Sequence, residues 1–213
     1  MKYILRTPEP QALNKARERC SSWKDLKKYK KDTYDIIVEE LYSMQKELCA
    51  YCERKIKKEE KKYHVEHFRC RHQFPQSELE WNNLFLSCNH ENTCGKHKDS
   101  SQTEKYNVDD LIKPDIEADN PQKYFTYTPK GKIEVNSKLN NKDAHKAEET
   151  IRVFNLNETA LVNTRKNIFK SYFNIFSEQC NNYNLQNIEE IKKMEEKLGF
   201  SSLIESILSP YNK

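Results

Sequence analysis

The apolar positions in the first part of the chain are spaced for helices. The residues that recur at intervals of three and four are Ile37, Leu41, Met44 and Leu48. This is the pattern of an amphipathic helix, for which Asp32 or Thr33 offers an N-cap. We expect the helix to run into Cys49, and a weaker stripe of the same spacing predicts further helical structure over residues 12–29.

The pattern after Pro114 predicts a hairpin and then more helices. Residues 124–128 and 133–135 have strand character and flank a turn that contains Gly131. The apolar stripes that follow predict one helix over about residues 142–154 and a second after an Asn157 cap. They also predict a third helix that stops at Gly199 and a short last helix that Pro210 ends. We interpret these stripes as faces that pack into a core.

Periodicity breaks down between Cys49 and about Ile112, where Cys, His and Asn residues concentrate. We therefore expect an N-terminal helical segment (residues 1–45), a central segment that carries the chemistry (46–112), and a β-hairpin followed by a helical region (113–213). The predicted fold class is α+β and mostly helical.

The composition excludes several classes of protein. Only three glycines are present, at widely separated positions, so the chain cannot build a Rossmann or P-loop phosphate site. The 37 Lys and Arg residues exceed the 33 Asp and Glu residues by only four charges, so any nucleic-acid surface must be local. No apolar run is long enough to span a bilayer. We expect a cytoplasmic protein with no membrane partner.

The seven cysteines point to a metal site. In the cytoplasm thiols stay reduced, so close pairs of cysteines serve as metal ligands more often than as disulfides. Cys49 and Cys52 form a CxxC pair, and Cys88 and Cys94 form a looser pair. Two thiol pairs brought together by a fold make the four-sulfur site of structural zinc, in which no water is activated. We interpret the three isolated cysteines as small buried hydrophobic residues. These are Cys20, Cys70 and Cys180.

A carboxylate stands beside an imidazole between the two pairs, at Glu66 and His67. Glu66 offers an oxygen ligand for a hard cation, and His67 a base that titrates near neutrality, as metal-assisted phosphodiester hydrolysis requires. His64 shares a strand face with Glu66 and could assist the metal site. We favour instead a histidine that supports the metal ligands without binding the metal, or one exposed to solvent.

Four strings in this order resemble the zinc-containing HNH endonucleases. They are Cys-Ala-Tyr-Cys (49–52), Glu-His-Phe (66–68), Trp-Asn-Asn-Leu (81–84) and Cys-Gly-Lys-His-Lys-Asp (94–99). More narrowly, the sequence looks like the HNH proteins of retron and Septu anti-phage systems, the PtuB-like group. The motifs cover about residues 46–100. The resemblance implies a ββα-metal (HNH) core stapled by a structural zinc ion.

The resemblance also implies roles for the residues that match. His67 becomes the general base that activates water, and Glu66 becomes a ligand of a catalytic Mg²⁺ or Mn²⁺ ion. Asn83 becomes the amide that holds the histidine-bearing loop by bonding to its backbone.

One metal ligand is missing from the pattern. In the family it commonly follows the last cysteine, where this chain has Gly95. Because residues four apart share a helix face, Asp99 is the first choice for the missing ligand and His97 the second.

The pattern favours a metal-dependent endonuclease that hydrolyses nucleic acid, with DNA favoured over RNA. Eight basic residues between Arg54 and Arg71 supply local charge for phosphates, unless they form a solvated face. The resemblance implies an anti-phage effector that acts with a separate ATPase subunit. Gly95 keeps open the alternative of a catalytically silent zinc module that binds nucleic acid or a protein. A purely structural adaptor is a third hypothesis.

Overall fold

Three helices precede the first strand. The protein was analysed as a computed structural model, which describes residues 1–177, 193 and 197–208. The helices are α1 (Gln11–Arg17), α2 (Trp23–Tyr29) and α3 (Lys31–Met44). Ser22 caps α2, since its side chain accepts a hydrogen bond from the Asp25 N–H.

The ends of α3 differ from the prediction. Lys30 precedes the helix and makes no side-chain cap, so neither Asp32 nor Thr33 is the N-cap. The helix stops at Met44 and does not reach Cys49. Lys46 and Glu47 have φ angles of 54° and 64°, outside the right-handed helical region. This turn directs the chain into the cysteine segment.

The central segment is built on a two-stranded antiparallel sheet. Strand β1 (Tyr63–His67) pairs with β2 (Leu84–Cys88), and the register places Tyr63 opposite Cys88 and His67 opposite Leu84. Helix α4 (Cys94–Lys98) follows and contacts β2. All five residues of β2 are buried, so this strand lies inside the core.

The predicted hairpin is confirmed. Strand β3 (Phe125–Tyr127) pairs with β4 (Ile133–Val135) in antiparallel register. Gly131 in the turn has a φ of +84°, and a Cβ there would lie 2.1 Å from the Val162 carbonyl oxygen. The turn therefore requires glycine.

Three further helices are α5 (Asn141–Val153), α6 (Thr159–Ser177) and α7 (Ser201–Leu208). Their existence agrees with the prediction, but the cap of α6 does not. Glu158 accepts hydrogen bonds from the first N–H groups of α6, whereas Asn157 bonds to Ile133 of β4. The predicted third helix lies mostly outside the described residues, as do Pro210 and Cys180.

The buried core takes residues from all three parts of the chain. At its centre the Tyr51 and Phe154 rings stack with centroids 4.0 Å apart, and Phe68 meets Phe85 edge to face. The three-part division stays a prediction. None of the helices in the described ranges is long and apolar enough to cross a membrane.

Arg6 fastens the N-terminal segment to the start of β2. Its guanidinium group lies 4.4 Å from the Phe85 ring centroid and donates to the carbonyls of Trp81 and Leu84, each at 2.9 Å. Asp115 accepts a further bond from its Nε at 2.9 Å. The guanidinium group thus joins three distant segments at the base of the sheet.

Candidate active site

Four cysteines meet beside the β1–β2 sheet. Their Sγ atoms all lie within 4.8 Å of one another, and all four side chains are buried. They are the predicted set, Cys49, Cys52, Cys88 and Cys94. The Sγ atoms of Cys52 and Cys88 are 3.8 Å apart. A tetrahedral zinc ion with Zn–S bonds of about 2.3 Å keeps its sulfurs about 3.8 Å apart, so the cluster could hold a structural zinc ion.

Backbone contacts aim the thiols at one point. The turn after Cys49 is closed by a hydrogen bond from the Glu53 N–H to the Cys49 carbonyl. The Ala50 N–H donates to the Leu86 carbonyl at 3.1 Å and fastens this turn to β2. The Cys88 N–H donates to Cys49 Sγ at 3.4 Å. A donor at sulfur favours the thiolate, which is the form that binds metal.

The four thiols lie too close together for all of them to ionise without a cation. Burial raises the pKa of Cys49, but hydrogen bonds from the other three thiols outweigh it and hold that pKa well below its ordinary value. Burial and the neighbouring thiols raise the pKa of Cys94. A divalent cation at the centre would let all four become thiolates.

The Glu66 carboxylate is buried where β1 meets α4, with 2% of the residue exposed. Its Oε2 lies 3.1 Å from Nε2 of His64, two residues back on the same strand face. Its Oε1 lies 2.9 Å from Lys98 Nζ, although no hydrogen bond of good geometry reaches that oxygen from any described residue. Burial raises a carboxyl pKa, but Lys98 and His64 hold the pKa of Glu66 below its ordinary value.

Lys98 ends α4 and places its ammonium group between two carboxylates. Its Nζ lies 2.9 Å from Glu66 Oε1 and 2.5 Å from Asp99 Oδ1, and its side chain is fully buried. Burial disfavours the charged amine, yet the charges of Glu66 and Asp99 raise the pKa of Lys98 above its ordinary value. Burial and the Glu66 charge raise the pKa of the half-exposed Asp99. The three groups form one electrostatic unit.

The two alternatives for the missing ligand lie on different sides of α4. The Asp99 N–H donates to the Gly95 carbonyl at 3.1 Å, one turn back, and the Asp99 side chain shares Lys98 with Glu66. His97 Nδ1 lies 2.9 Å from the Val153 carbonyl of α5. The structure therefore pairs Asp99 and Glu66 with the same lysine and directs His97 elsewhere.

Gly95 touches the same carboxylate. A Cβ built on Gly95 would lie 2.3 Å from Glu66 Oε2 and 2.9 Å from His64 Nε2. Residue 95 has no room for a side chain, because Glu66 and His64 fill that space. His64 thus lies where a ligand from position 95 would reach, directly against Glu66.

The carboxylate oxygens of Glu66 and Asp99 suit a hard cation, and His64 adds an imidazole beside them. Glu66 Oε1, which lacks a well-aligned hydrogen bond from the described residues, is the atom that a cation would satisfy. Among groups of three or more His, Cys, Asp or Glu residues in the described ranges, however, only the four cysteines have ligand atoms that all lie within 4.8 Å of one another. Glu66, His64 and Asp99 fit a divalent cation only if Lys98 leaves its place between the carboxylates.

His67 contacts a different element from Glu66, as adjacent residues of a strand do. Its Nε2 lies 3.0 Å from the Glu78 carbonyl oxygen. A carbonyl only accepts, so Nε2 carries the proton and Nδ1 is the basic nitrogen. Burial lowers the pKa of His67 to about 4, below the near-neutral value expected from the sequence, so the ring is neutral at pH 7.

Trp23 of α2 supports the His67 ring. The indole meets the imidazole edge to face, with ring centroids 5.0 Å apart. The backbone N–H of Trp23 donates to Glu78 Oε2 at 2.8 Å, and Glu78 is the residue whose carbonyl bonds to His67. The N-terminal helical segment therefore takes part in holding this histidine.

Asn83 holds the loop that follows His67. Its Oδ1 accepts from the Arg69 N–H at 2.7 Å, and its Nδ2 donates to the carbonyls of Arg69 and Ser77 at 3.1 and 3.0 Å. Only 3% of Asn83 is exposed. These contacts are of the kind that the resemblance to HNH endonucleases implies for Asn83, since they bond its side chain to loop backbone.

A cleft of about 680 Å³ opens beside Lys98 and Asp99. It is lined by residues 70–73, 98–100 and 103–106. Its wall includes two cationic side chains, Arg71 and Lys105, and the imidazole of His72. His67 does not line this cleft.

Most basic residues of the 54–71 stretch are paired with carboxylates. The ion pairs are Lys55 with Glu47, Lys57 and Lys62 with Glu60, Lys58 with Glu39, and Arg69 with Asp109. Paired surface charges leave a weaker field than the same number of free cations. The charge available to a polyanion is therefore smaller than the sequence count indicated.

Comparison with known proteins gives one result from each of two kinds of search. No protein-family model matches. The chain is similar to a Septu protein. Over 93 residues, 43% of this chain, it is 32% identical to the Septu protein PtuB of Bacillus thuringiensis. The chain spans 34% of the length of that curated relative, about a third. The similarity supports a relationship to Septu proteins.

Sequence reasoning missed two members of the site and underrated a third. Spacing did place His64 on the strand face of Glu66, but not in contact with its carboxylate. Lys98 gave no signal, because it is one of many lysines and its burial depends on how α4 packs. The sequence placed Trp23 only in an apolar stripe with helical spacing. Its contact with His67 joins residues far apart in the sequence.

Proposed function

We propose that this chain is a metal-dependent HNH-type nuclease that hydrolyses phosphodiester bonds in nucleic acid, as the effector of an anti-phage system. The observation that carries the proposal is the pair of adjacent groups on β1, a buried carboxylate at Glu66 and a neutral imidazole at His67. The contacts of Asn83 with the loop backbone support it. The order strand, strand, helix over β1, β2 and α4 supports an HNH ββα core.

The chain's own groups would perform the reaction as follows. His67 takes the proton of the attacking water on Nδ1, while its Nε2–H stays bonded to Glu78. Glu66, His64 and Asp99 would hold Mg²⁺ or Mn²⁺. The cation, when bound, supplies Lewis-acid stabilisation of the charge that develops on the phosphate and the leaving oxygen.

The four cysteines have a structural part in this proposal. Cys94 opens α4, so a zinc ion shared with Cys49, Cys52 and Cys88 would fix the start of the helix against the sheet. Gly95, Lys98 and Asp99 follow within the next turn and are thereby positioned at Glu66.

The relationship to Septu proteins supports a defence role. The partner that we propose, from the resemblance of the sequence motifs, is a separate ATPase subunit. The chain has no glycine-rich loop for phosphates, so ATP would be bound by that partner. Arg71 and Lys105 on the wall of the cleft would contact substrate phosphates, with DNA favoured over RNA.

A second function has a specific observation in its favour. The Lys98 ammonium group lies between Glu66 and Asp99, which neutralises carboxylates that a catalytic cation needs. A catalytically silent zinc module that binds nucleic acid or a protein would show the same arrangement.

A cleavage assay separates the two functions. Purified chain is incubated with labelled DNA or RNA and Mg²⁺ or Mn²⁺, alone and with a candidate ATPase subunit. We expect cleavage that falls at least about 100-fold in His67→Ala and Glu66→Gln, while His145→Ala, an exposed histidine of α5, cleaves like the wild type. Undiminished cleavage by His67→Ala would refute the mechanism. Absence of cleavage under every condition would favour the silent module.

A further inference from the structure

We propose that Lys98 is an internal competitor for the catalytic cation: its ammonium group occupies the place between Glu66 and Asp99, and a divalent cation binds there only when Lys98 withdraws. The inference rests on the proposed function, because it concerns the cation site of the same centre. Lys98 would then set how readily the nuclease takes up its metal.

Distances make the competition direct. Lys98 Nζ lies 2.9 Å from Glu66 Oε1 and 2.5 Å from Asp99 Oδ1. A magnesium ion binds carboxylate oxygens at about 2.0–2.1 Å. An ion held by these two oxygens would overlap the ammonium group, so the two cations exclude each other by size as well as by charge.

Burial makes the competition strong. The Lys98 side chain has no exposed area, and 3% of the Glu66 side chain is exposed. Water screens such a pair poorly, and removal of one partner leaves an uncompensated buried charge. While it is ionised, Glu66 therefore needs a cation beside it, and either Lys98 or a metal ion can meet that need.

The structure also provides a place for the displaced side chain. Lys98 is the last residue of α4 and lines the 680 Å³ cleft together with Asp99. A lysine has four methylene groups and several rotamers. In this proposal its ammonium group turns from Glu66 into the cleft.

Binding of Mn²⁺ to the zinc-loaded full chain, followed by electron paramagnetic resonance, measures the competition without any cleavage. We expect Lys98→Met to bind Mn²⁺ at least about tenfold more tightly than the wild type, since the competing cation is gone. Lys96→Met is the matched control, because it removes one positive charge from an exposed position of the same helix. Adding Glu66→Gln to Lys98→Met should abolish the gain.

A second measurement needs no variant and covers the case in which Lys98→Met does not fold. Wild-type protein is treated with acetic anhydride, with and without saturating Mn²⁺, and the acetylation of each lysine is read by mass spectrometry. We expect Lys98 to be protected without Mn²⁺ and several times more reactive with it, while Lys96 stays constant. Unchanged protection of Lys98 in the Mn²⁺-bound protein would overturn the inference.

The outcomes also separate this inference from the nuclease proposal. If Lys98→Met binds Mn²⁺ no more tightly than the wild type but both proteins cleave, the competitor role is wrong and the nuclease stands. If neither protein has a Glu66-dependent Mn²⁺ site and neither cleaves, both proposals are wrong.

Discussion

Asn83 and Arg69 are joined by a pair of hydrogen bonds, in which the Asn83 side-chain amide accepts from the Arg69 N–H at 2.7 Å and donates to its carbonyl at 3.1 Å. Arg69 lies two residues after His67. The amide therefore fixes the backbone that leaves β1 just beyond the imidazole. Local order of the candidate base therefore depends on the side chain that immediately precedes β2.

Replacing Asn83 by Ala should lower both stability and cleavage. Backbone groups of Arg69 and Ser77 would lose their partners, at a cost of about 1–3 kcal/mol in the free energy of unfolding. Urea denaturation measures the loss. Asn82→Ala, at the exposed neighbouring position, should change the same quantity by less than about 0.5 kcal/mol. Equal stability of the two variants would mean that the Asn83 bonds hold nothing in place.

The cysteine cluster predicts one tightly bound zinc ion in the described part of the chain. Cys52→Ser should lower the zinc content measured by elemental analysis and reduce the melting temperature, because the buried thiols lose the cation that binds them together. Cys70→Ser, a half-buried cysteine outside the cluster, should retain zinc. Wild-type protein without zinc would contradict the four-sulfur site.

A side chain at position 95 should harm the site even if it could bind metal. Gly95→Asp would bring its Cβ to 2.3 Å from Glu66 Oε2, so the carboxylate or α4 must move. We expect lower thermal stability and weaker Mn²⁺ binding than in the wild type. Gly95→Ala should show the same loss, and this separates the effect of volume from that of charge. Tighter Mn²⁺ binding by Gly95→Asp would show that His64 does not fill the ligand position.

Trp23 should affect cleavage through His67. Trp23→Ala removes the ring that meets the imidazole edge to face and should cost about 3–5 kcal/mol of stability. Trp23→Phe keeps an aromatic edge there and should retain more of the cleavage rate. The rates are compared under conditions in which circular dichroism shows both variants folded, with Mn²⁺ affinity as a second readout that we expect to be unchanged. Equal rates for folded Trp23→Ala and wild type would rule out a positioning role.

Short-range patterns in the sequence predicted the local parts of this protein. The spacing of the cysteine pairs predicted the four thiols that the fold brings together, and the hairpin follows from two strand-like runs around Gly131. The place of His64 on the face of Glu66 follows from strand alternation. The hairpin and the place of His64 depend on residues close together in the chain. The cysteine cluster was predictable because four thiols suit zinc.

Tertiary structure decided the rest. Periodicity cannot tell that α3 stops at Met44, because the turn there depends on backbone conformations at Lys46 and Glu47 that apolar spacing does not encode. The choice between Asp99 and His97, and the insertion of Lys98 beside Glu66, depend on how α4 packs against the sheet. The sequence determined which groups could do chemistry, and the packing of one short helix determined which of them meet. Burial then gave those contacts their strength, because a buried charge must be paired.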